Sequence, residues 1–146
     1  MTRVHPAAEK LKNINWRRHN VLFAVLHGSI LWSPTPRDID ILVAPAQGFS
    51  EDDEIAIIEE VEALTGLPAD LHVVNPDDPN CPLFLEALRH GVLVYLEGER
   101  GVDELTRLAL ICWDYTVMRR KIGFTKLLVE SVMRRGGARE APRARG

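Results

Sequence analysis

The sequence is poor in the residues that most often build small metal or disulfide-bonded domains. It holds only two cysteines in 146 residues, Cys81 and Cys112, and neither lies in a C-x-x-C pair or beside a histidine cluster. This pattern argues against a zinc site and a disulfide framework, and it fits a reducing cytoplasm. No apolar run approaches the ~20 residues of a membrane span, and the first twenty residues lack the apolar core of a signal peptide. We therefore expect a cytoplasmic protein without membrane association.

The composition is otherwise that of a soluble globular domain, with 46% apolar and 27% charged residues. Its net charge of −3 is the sum of an acidic segment and a basic segment. Residues 119–146 hold nine Arg or Lys against two Glu, a balance of +7, which leaves −10 for residues 1–118. This separation is consistent either with a C-terminal segment that contacts an anionic partner or with a solvated end of the chain.

Apolar periodicity predicts a mixed order of helices and strands. The run 21–27, "VLFAVLH", is continuously apolar, which indicates a strand buried on both faces. Because helices and strands are mixed and the strands are few, the predicted class is α+β, or mixed α/β, with a small mixed sheet flanked by helices. The predicted helices are 6–18, 50–66, 83–91 and about 102–135, and the predicted strands are 21–27, 38–44, 69–75 and 92–98.

Two of the predicted helices carry more detailed signals. For helix 50–66, Ser50 is a suitable N-cap and Gly66 a suitable C-cap, and Ile55, Ile58 and Val61 have the spacing of an apolar face. The last helix has an apolar stripe, with Gly123 as a possible break. We expect three segments: a core over 1–100, a helical extension over 101–135 and a disordered basic tail over 136–146.

Carboxylates recur on the polar faces of two predicted strands. Asp38 and Asp40 alternate with Ile39 and Ile41, and Asp70 opens a later strand. If these faces coincide, three negative charges converge, and each opposes the ionisation of the others unless a cation lies between them. Oxygen ligands of this kind suit Mg²⁺, and two such ions would activate an attacking oxygen and stabilise a leaving one.

A turn at Gly28-Ser29 follows the most apolar strand. Glycine allows a backbone to approach a phosphate closely, Ser29 adds a hydroxyl, and the N–H groups that open the next segment can bind an anion. His27 ends the strand before this turn, and we expect its ring to be satisfied by the backbone. His72, beside Asp70, is expected at the surface, although a ligand role stays open.

This order of motifs resembles the nucleotidyltransferases of the DNA polymerase β superfamily. A Gly-Ser turn at a strand end, Asp-x-Asp on the next strand and a lone Asp on a later one carry the resemblance, over roughly residues 20–98. The short chain is most similar to the minimal nucleotidyltransferases (MNT), the antitoxin half of HEPN/MNT toxin–antitoxin pairs.

The resemblance implies a set of roles. Asp38, Asp40 and Asp70 would be the catalytic and metal-binding carboxylates of a two-metal Mg²⁺ site, and Gly28, Ser29 and Arg37 would bind the nucleotide. It further implies transfer of a nucleoside monophosphate, AMP from ATP or the equivalent from another NTP, to a hydroxyl on a helical HEPN-type toxin. A homo-oligomer through the C-terminal helix is a further possibility, and no direct nucleic-acid binding is expected.

The sequence departs from the family pattern between Ser29 and Asp38. The segment "ILWSPTPR" is shorter than usual and lacks the Arg-Gly that commonly follows Gly-Ser, and Arg37 replaces the usual Ser. Whether this segment still binds a triphosphate tightly is therefore an open question. The alternative to an enzyme is an inactive nucleotide-binding module that neutralises its partner by contact. An aminoglycoside-type nucleotidyltransferase is disfavoured, since no second substrate-binding domain is visible.

Overall fold

The computed structural model describes residues 6–135, so the predicted disordered basic tail over 136–146 lies outside the described residues. The chain divides into two compact units at Cys112/Trp113. The first unit holds every strand found in residues 6–135. The elements are α1 (Pro6–Leu11), β1 (Val21–His27), β2 (Ile39–Pro45), α2 (Glu51–Thr65), β3 (Ala69–Val73), α3 (Cys81–His90), β4 (Val92–Leu96) and α4 (Gly98–Arg135), with short 3-10 turns at Trp16–His19 and Ser29–Leu31.

The four strands form one mixed sheet in the order β3-β2-β1-β4. Strand β1 is antiparallel to both β2 and β4, whereas β2 and β3 run parallel. The α+β class and the long C-terminal helix predicted from the sequence are thus confirmed. The parallel register of β2 and β3 places residues of the two strands side by side, and the predicted acids Asp40 and Asp70 lie on these strands.

Each face of the sheet carries its own apolar cluster, as the continuous apolar run of β1 predicts. One face packs against α1 and α2, through residues such as Leu11, Trp16, Ile57 and Val61. The other face packs against α3 and the first part of α4, through Phe84, Ala87, Leu108 and Cys112. Alternation along β2 places Ile39 and Ile41 in the first cluster and Leu42 and Ala44 in the second. Asp40 therefore shares the α3 face.

The N-terminal helix is shorter than predicted. The helix expected over 6–18 ends at Leu11, and a separate 3-10 turn begins at Trp16. The side chain of Asn15 accepts a hydrogen bond from the Arg18 backbone N–H and so starts the new turn. The buried indole of Trp16 donates to the Leu11 carbonyl at 2.9 Å, which ties the two segments together.

The predicted caps of α2 are confirmed, and its predicted apolar face is partly wrong. Ser50 and Asp53 form a capping box, and Gly66 adopts the left-handed conformation with φ 72°. The buried residues are Ile57 and Val61, whereas Ile55 is 47% exposed. Because four neighbouring positions of α2 are isoleucine or alanine, the sequence leaves the rotation of the helix underdetermined, and contact with the sheet decides it.

The two cysteines form a disulfide, so the prediction against one is wrong. Cys81 is the first residue of α3 and Cys112 lies on α4, with their Cα atoms 5.1 Å apart. Helix packing brings together residues 31 positions apart in the chain, which spacing motifs do not detect. The expectation of a reducing cytoplasm rested partly on unpaired cysteines and loses that support.

Helix α4 continues through Gly123 without a break. Within the second unit, Trp113 and Tyr115 are exposed. Among the described residues, no helix is long and apolar enough to cross a membrane.

Candidate functional site

The predicted carboxylates meet at one edge of the sheet. Asp40 of β2 pairs in register with Asp70 of β3, so the two side chains project from the same face of adjacent strands. Asp38 lies two residues before Asp40, just ahead of β2, and its charge acts on the Asp40 carboxyl. The structure thus brings together all three predicted acids.

The turn at Gly28 lies against the carboxyl group of Asp40. Gly28 has φ +83°, a conformation that side-chain-bearing residues rarely adopt. A Cβ atom added to Gly28 would overlap the Asp40 carboxylate, which would then have to move. Ser29 begins the 3-10 turn Ser29–Leu31, whose first N–H groups have no acceptor within the turn itself. Glycine at residue 28 therefore suits both the positive φ of the turn and the close approach of Asp40.

The environment of Asp40 changes its pKa. The pKa of Asp40 is raised to about 6, first by burial, then by the charges of Asp38 and Asp70 and by a hydrogen bond with Asp70. A carboxyl that must ionise beside two like charges is stabilised by a cation, and the three acids offer oxygen ligands alone. The donor set therefore fits a hard divalent ion. Within residues 6–135, no group of three or more His, Cys, Asp or Glu has the geometry of a metal site, so the metal role of the triad stays a prediction.

His27 belongs to this cluster, which sequence reasoning missed. It pairs in register with Asp40, and its buried Nε2 atom has no hydrogen-bond partner among the described residues. The expectation that the backbone satisfies this ring is therefore wrong for Nε2. Burial lowers the pKa of His27, the charge of His72 lowers it further, and Asp70 acts in the opposite direction. The sequence did contain a signal for this role, because His27 is a polar residue at the end of an apolar strand, directly before the glycine turn.

Arg37 directly precedes Asp38 and is the predicted nucleotide-binding residue with the fewest contacts to support that role. Its side chain is exposed, and no hydrogen bond or ion pair of Arg37 is found within the described part of the chain. Trp32, in the same segment between Ser29 and Asp38, is 77% exposed. The segment between Ser29 and Asp38, which differs most from the family pattern, is thus exposed to solvent at Trp32 and Arg37, beside the carboxylates.

The comparisons with known proteins identify the family and the fold. Residues 9–100, more than half of the chain, match the family described as "Polymerase beta, Nucleotidyltransferase". No curated protein matches the chain.

Solved structures of toxin–antitoxin complexes share the fold. A toxin–antitoxin structure with AMP-PNP matches at 16% identity with a TM-score of 0.56, covering 81% of this chain and 98% of that one. A complex of the tri-AMPylated HEPN toxin with the MNT antitoxin of Shewanella oneidensis matches at 12% identity with a TM-score of 0.53, covering 83% and 98%. A mutant of the toxin–antitoxin MntA–HpeT matches at 13% identity with a TM-score of 0.54, covering 82% and 93%. At such identities the likeness concerns the fold alone.

The family match covers the sheet, the Gly28 turn and all three acids, and the fold agrees with it. The chain belongs to the polymerase β nucleotidyltransferase family.

Proposed function

We propose that the chain transfers a nucleoside monophosphate, AMP from ATP, to a hydroxyl on a HEPN-type toxin partner. The observation that carries the proposal is the convergence of Asp40, Asp70 and the Gly28 turn at one sheet edge. The family match supports the general reaction. The choice of AMP and of a HEPN partner is favoured by the neighbours, one of which is a complex with a tri-AMPylated HEPN toxin.

In the proposed reaction, the acceptor oxygen forms a bond to the α-phosphorus, the bond from that phosphorus to the β-phosphate oxygen breaks, and pyrophosphate leaves. Asp38, Asp40 and Asp70 would hold Mg²⁺, which when bound would neutralise phosphate charge and polarise the reacting oxygens. Gly28 and Ser29 would hold the triphosphate through backbone N–H groups and the Ser29 hydroxyl. Asp70, which is exposed at the outer edge of the carboxylate row, would accept the proton of the acceptor hydroxyl.

Asp70→Asn separates binding from transfer. We expect this variant to bind Mg²⁺–ATP within a few fold of wild type, because Asp38 and Asp40 remain, while the transfer rate falls by a factor on the order of 10²–10⁴. The measurements are calorimetric ATP binding and transfer of labelled AMP to the protein of the adjacent gene. Asp78→Asn, an exposed acid outside the site, is the control. Transfer at the wild-type rate would show that Asp70 does not have this role.

The second candidate is a module that binds its partner without catalysis. The short, exposed segment around Trp32 and Arg37 favours it, since this segment lacks the Arg-Gly that the family usually has there. A wild-type protein that binds ATP and the partner but transfers no label would support this candidate. An adjacent gene for a small all-helical protein with an R-x-x-x-x-H motif would support a HEPN partner under either candidate. Self-association through α4 stays a prediction, tested by the mass of the chain in solution.

A further inference from the structure

The proposed reaction gives no role to His27, a half-buried residue of the site whose Nε2 atom is buried. Among the described residues this atom has no hydrogen-bond partner, whereas the preceding inward-facing residues of the same face, Phe23 and Val25, are apolar and buried. A buried polar atom without a partner destabilises a fold, and an apolar ring of similar shape does not carry that cost. The imidazole is therefore not explained by packing.

The strand register places His27 in a row with the acids. His27 of β1 lies opposite Asp40 of β2, and Asp40 lies opposite Asp70 of β3. Side chains directly opposite each other on adjacent strands have Cβ atoms about 5 Å apart. His27 and Asp70 therefore flank Asp40 from its two sides, and His27 is the member of the row with an N–H to donate.

The other neighbours of Asp40 at this site are acids. Among the described residues, the side chains that act on the Asp40 carboxyl are those of Asp38 and Asp70, and a carboxylate has no N–H to donate. Carboxylates that bind metal ions are usually held by hydrogen bonds from neighbouring groups, which fix their orientation. In the row, His27 is the neighbour of Asp40 that can supply such a bond.

We propose that His27 is a positioning residue for Asp40, donating its Nε2–H to the Asp40 carboxylate when the site binds a divalent ion. In a neutral imidazole one ring nitrogen is a donor and the other an acceptor, so this role selects the Nε2–H tautomer. The inference rests on the proposed function, because it requires Asp40 to bind the ion that accompanies the nucleotide.

The test compares His27→Phe, His27→Gln and wild type. His27→Phe removes the donor and keeps a ring, His27→Gln keeps an N–H at a similar reach, and His90→Phe makes the same change at an exposed position of α3. The measurements are the melting temperature of the metal-free protein and calorimetric binding of AMP-PNP, with Mg²⁺ and again with EDTA.

For His27→Phe we expect a melting temperature equal to or above that of wild type and Mg²⁺-dependent AMP-PNP binding about 10–100-fold weaker. His27→Gln should bind within a few fold of wild type, and the binding measured in EDTA should not change in either variant. A much lower melting temperature for both variants would mean that the ring serves packing and would overturn the proposal. Unchanged binding by His27→Phe, or a loss that persists in EDTA, would also overturn it. A wild type that binds no Mg²⁺–AMP-PNP would refute the proposed function itself, and this inference with it.

Discussion

At the scale of single residues, Asp40 combines partial burial with two neighbouring acids, and its protonation should therefore affect the stability of the fold. Its pKa in the folded chain, about 6, lies above the ordinary value of 3.8. The folded state thus holds this proton more tightly than the unfolded state. The resulting stabilisation is complete below about pH 4 and is lost as the pH rises through 6.

Asparagine cannot ionise. We therefore expect the stability of Asp40→Asn to increase relative to that of wild type as the pH rises. Without metal, the melting temperature of the variant relative to wild type should be higher at pH 7.5 than at pH 5. Asp78→Asn, an exposed acid outside the site, should show no such trend. Parallel curves for wild type and Asp40→Asn would show that the acids do not oppose one another in the folded chain.

Gly28 allows steric exclusion to be separated from backbone strain. In Gly28→Ala the added methyl group would overlap Oδ2 of Asp40. Gly48 also has a positive φ, of +90°, but a methyl group added there would have no atom within 4 Å. Both variants should lose about 1–3 kcal/mol of folding free energy through strain. Only Gly28→Ala should also lose Mg²⁺–ATP binding, measured by calorimetry, because Asp40 must move. Equal binding by the two variants would mean that the turn does not constrain the acid.

At the scale of helices and strands, local chemistry made much of the fold predictable. The seven residues of β1 were predicted with the same bounds as the structure shows, because continuous apolarity ends at a glycine turn. The face that Asp40 and Asp70 share follows from the alternation of two strands, although only the parallel register places one acid directly beside the other. The rotation of α2 and the environment of His27 depend on contacts between distant segments, which one sequence does not display.

The Cys81–Cys112 disulfide is such a contact, and its energetic effect can be measured. It closes a loop between residues 31 positions apart, joining the start of α3 to α4 on one face of the sheet. Reduction should lower the free energy of unfolding by about 2–4 kcal/mol, chiefly because the unfolded chain becomes less constrained. The measurement is chemical unfolding of wild type with and without a dithiol reductant. The double variant Cys81→Ala, Cys112→Ala should not respond to reductant, and an equally unresponsive wild type would mean that the bond contributes nothing.

At the scale of the whole molecule, the chain separates its charges. Residues 1–118 carry −10, and the last 28 residues carry +7. The described part of this basic segment includes exposed Arg119 and Arg120 on α4. Basic side chains attract an acidic partner, and salt screens this attraction over about 10 Å at 0.1 M.

The double variant Arg119→Glu, Arg120→Glu should therefore bind a HEPN-type partner more slowly at low salt, and its association rate should vary less with salt than that of wild type. The matched control is Arg18→Glu, Arg89→Glu, which changes the net charge equally at exposed positions of the first unit. Association rates measured at several salt concentrations decide the point. If both variants slow binding alike, net charge alone governs the encounter. If only the α4 variant does so, the basic part of α4 is the surface that the partner meets first.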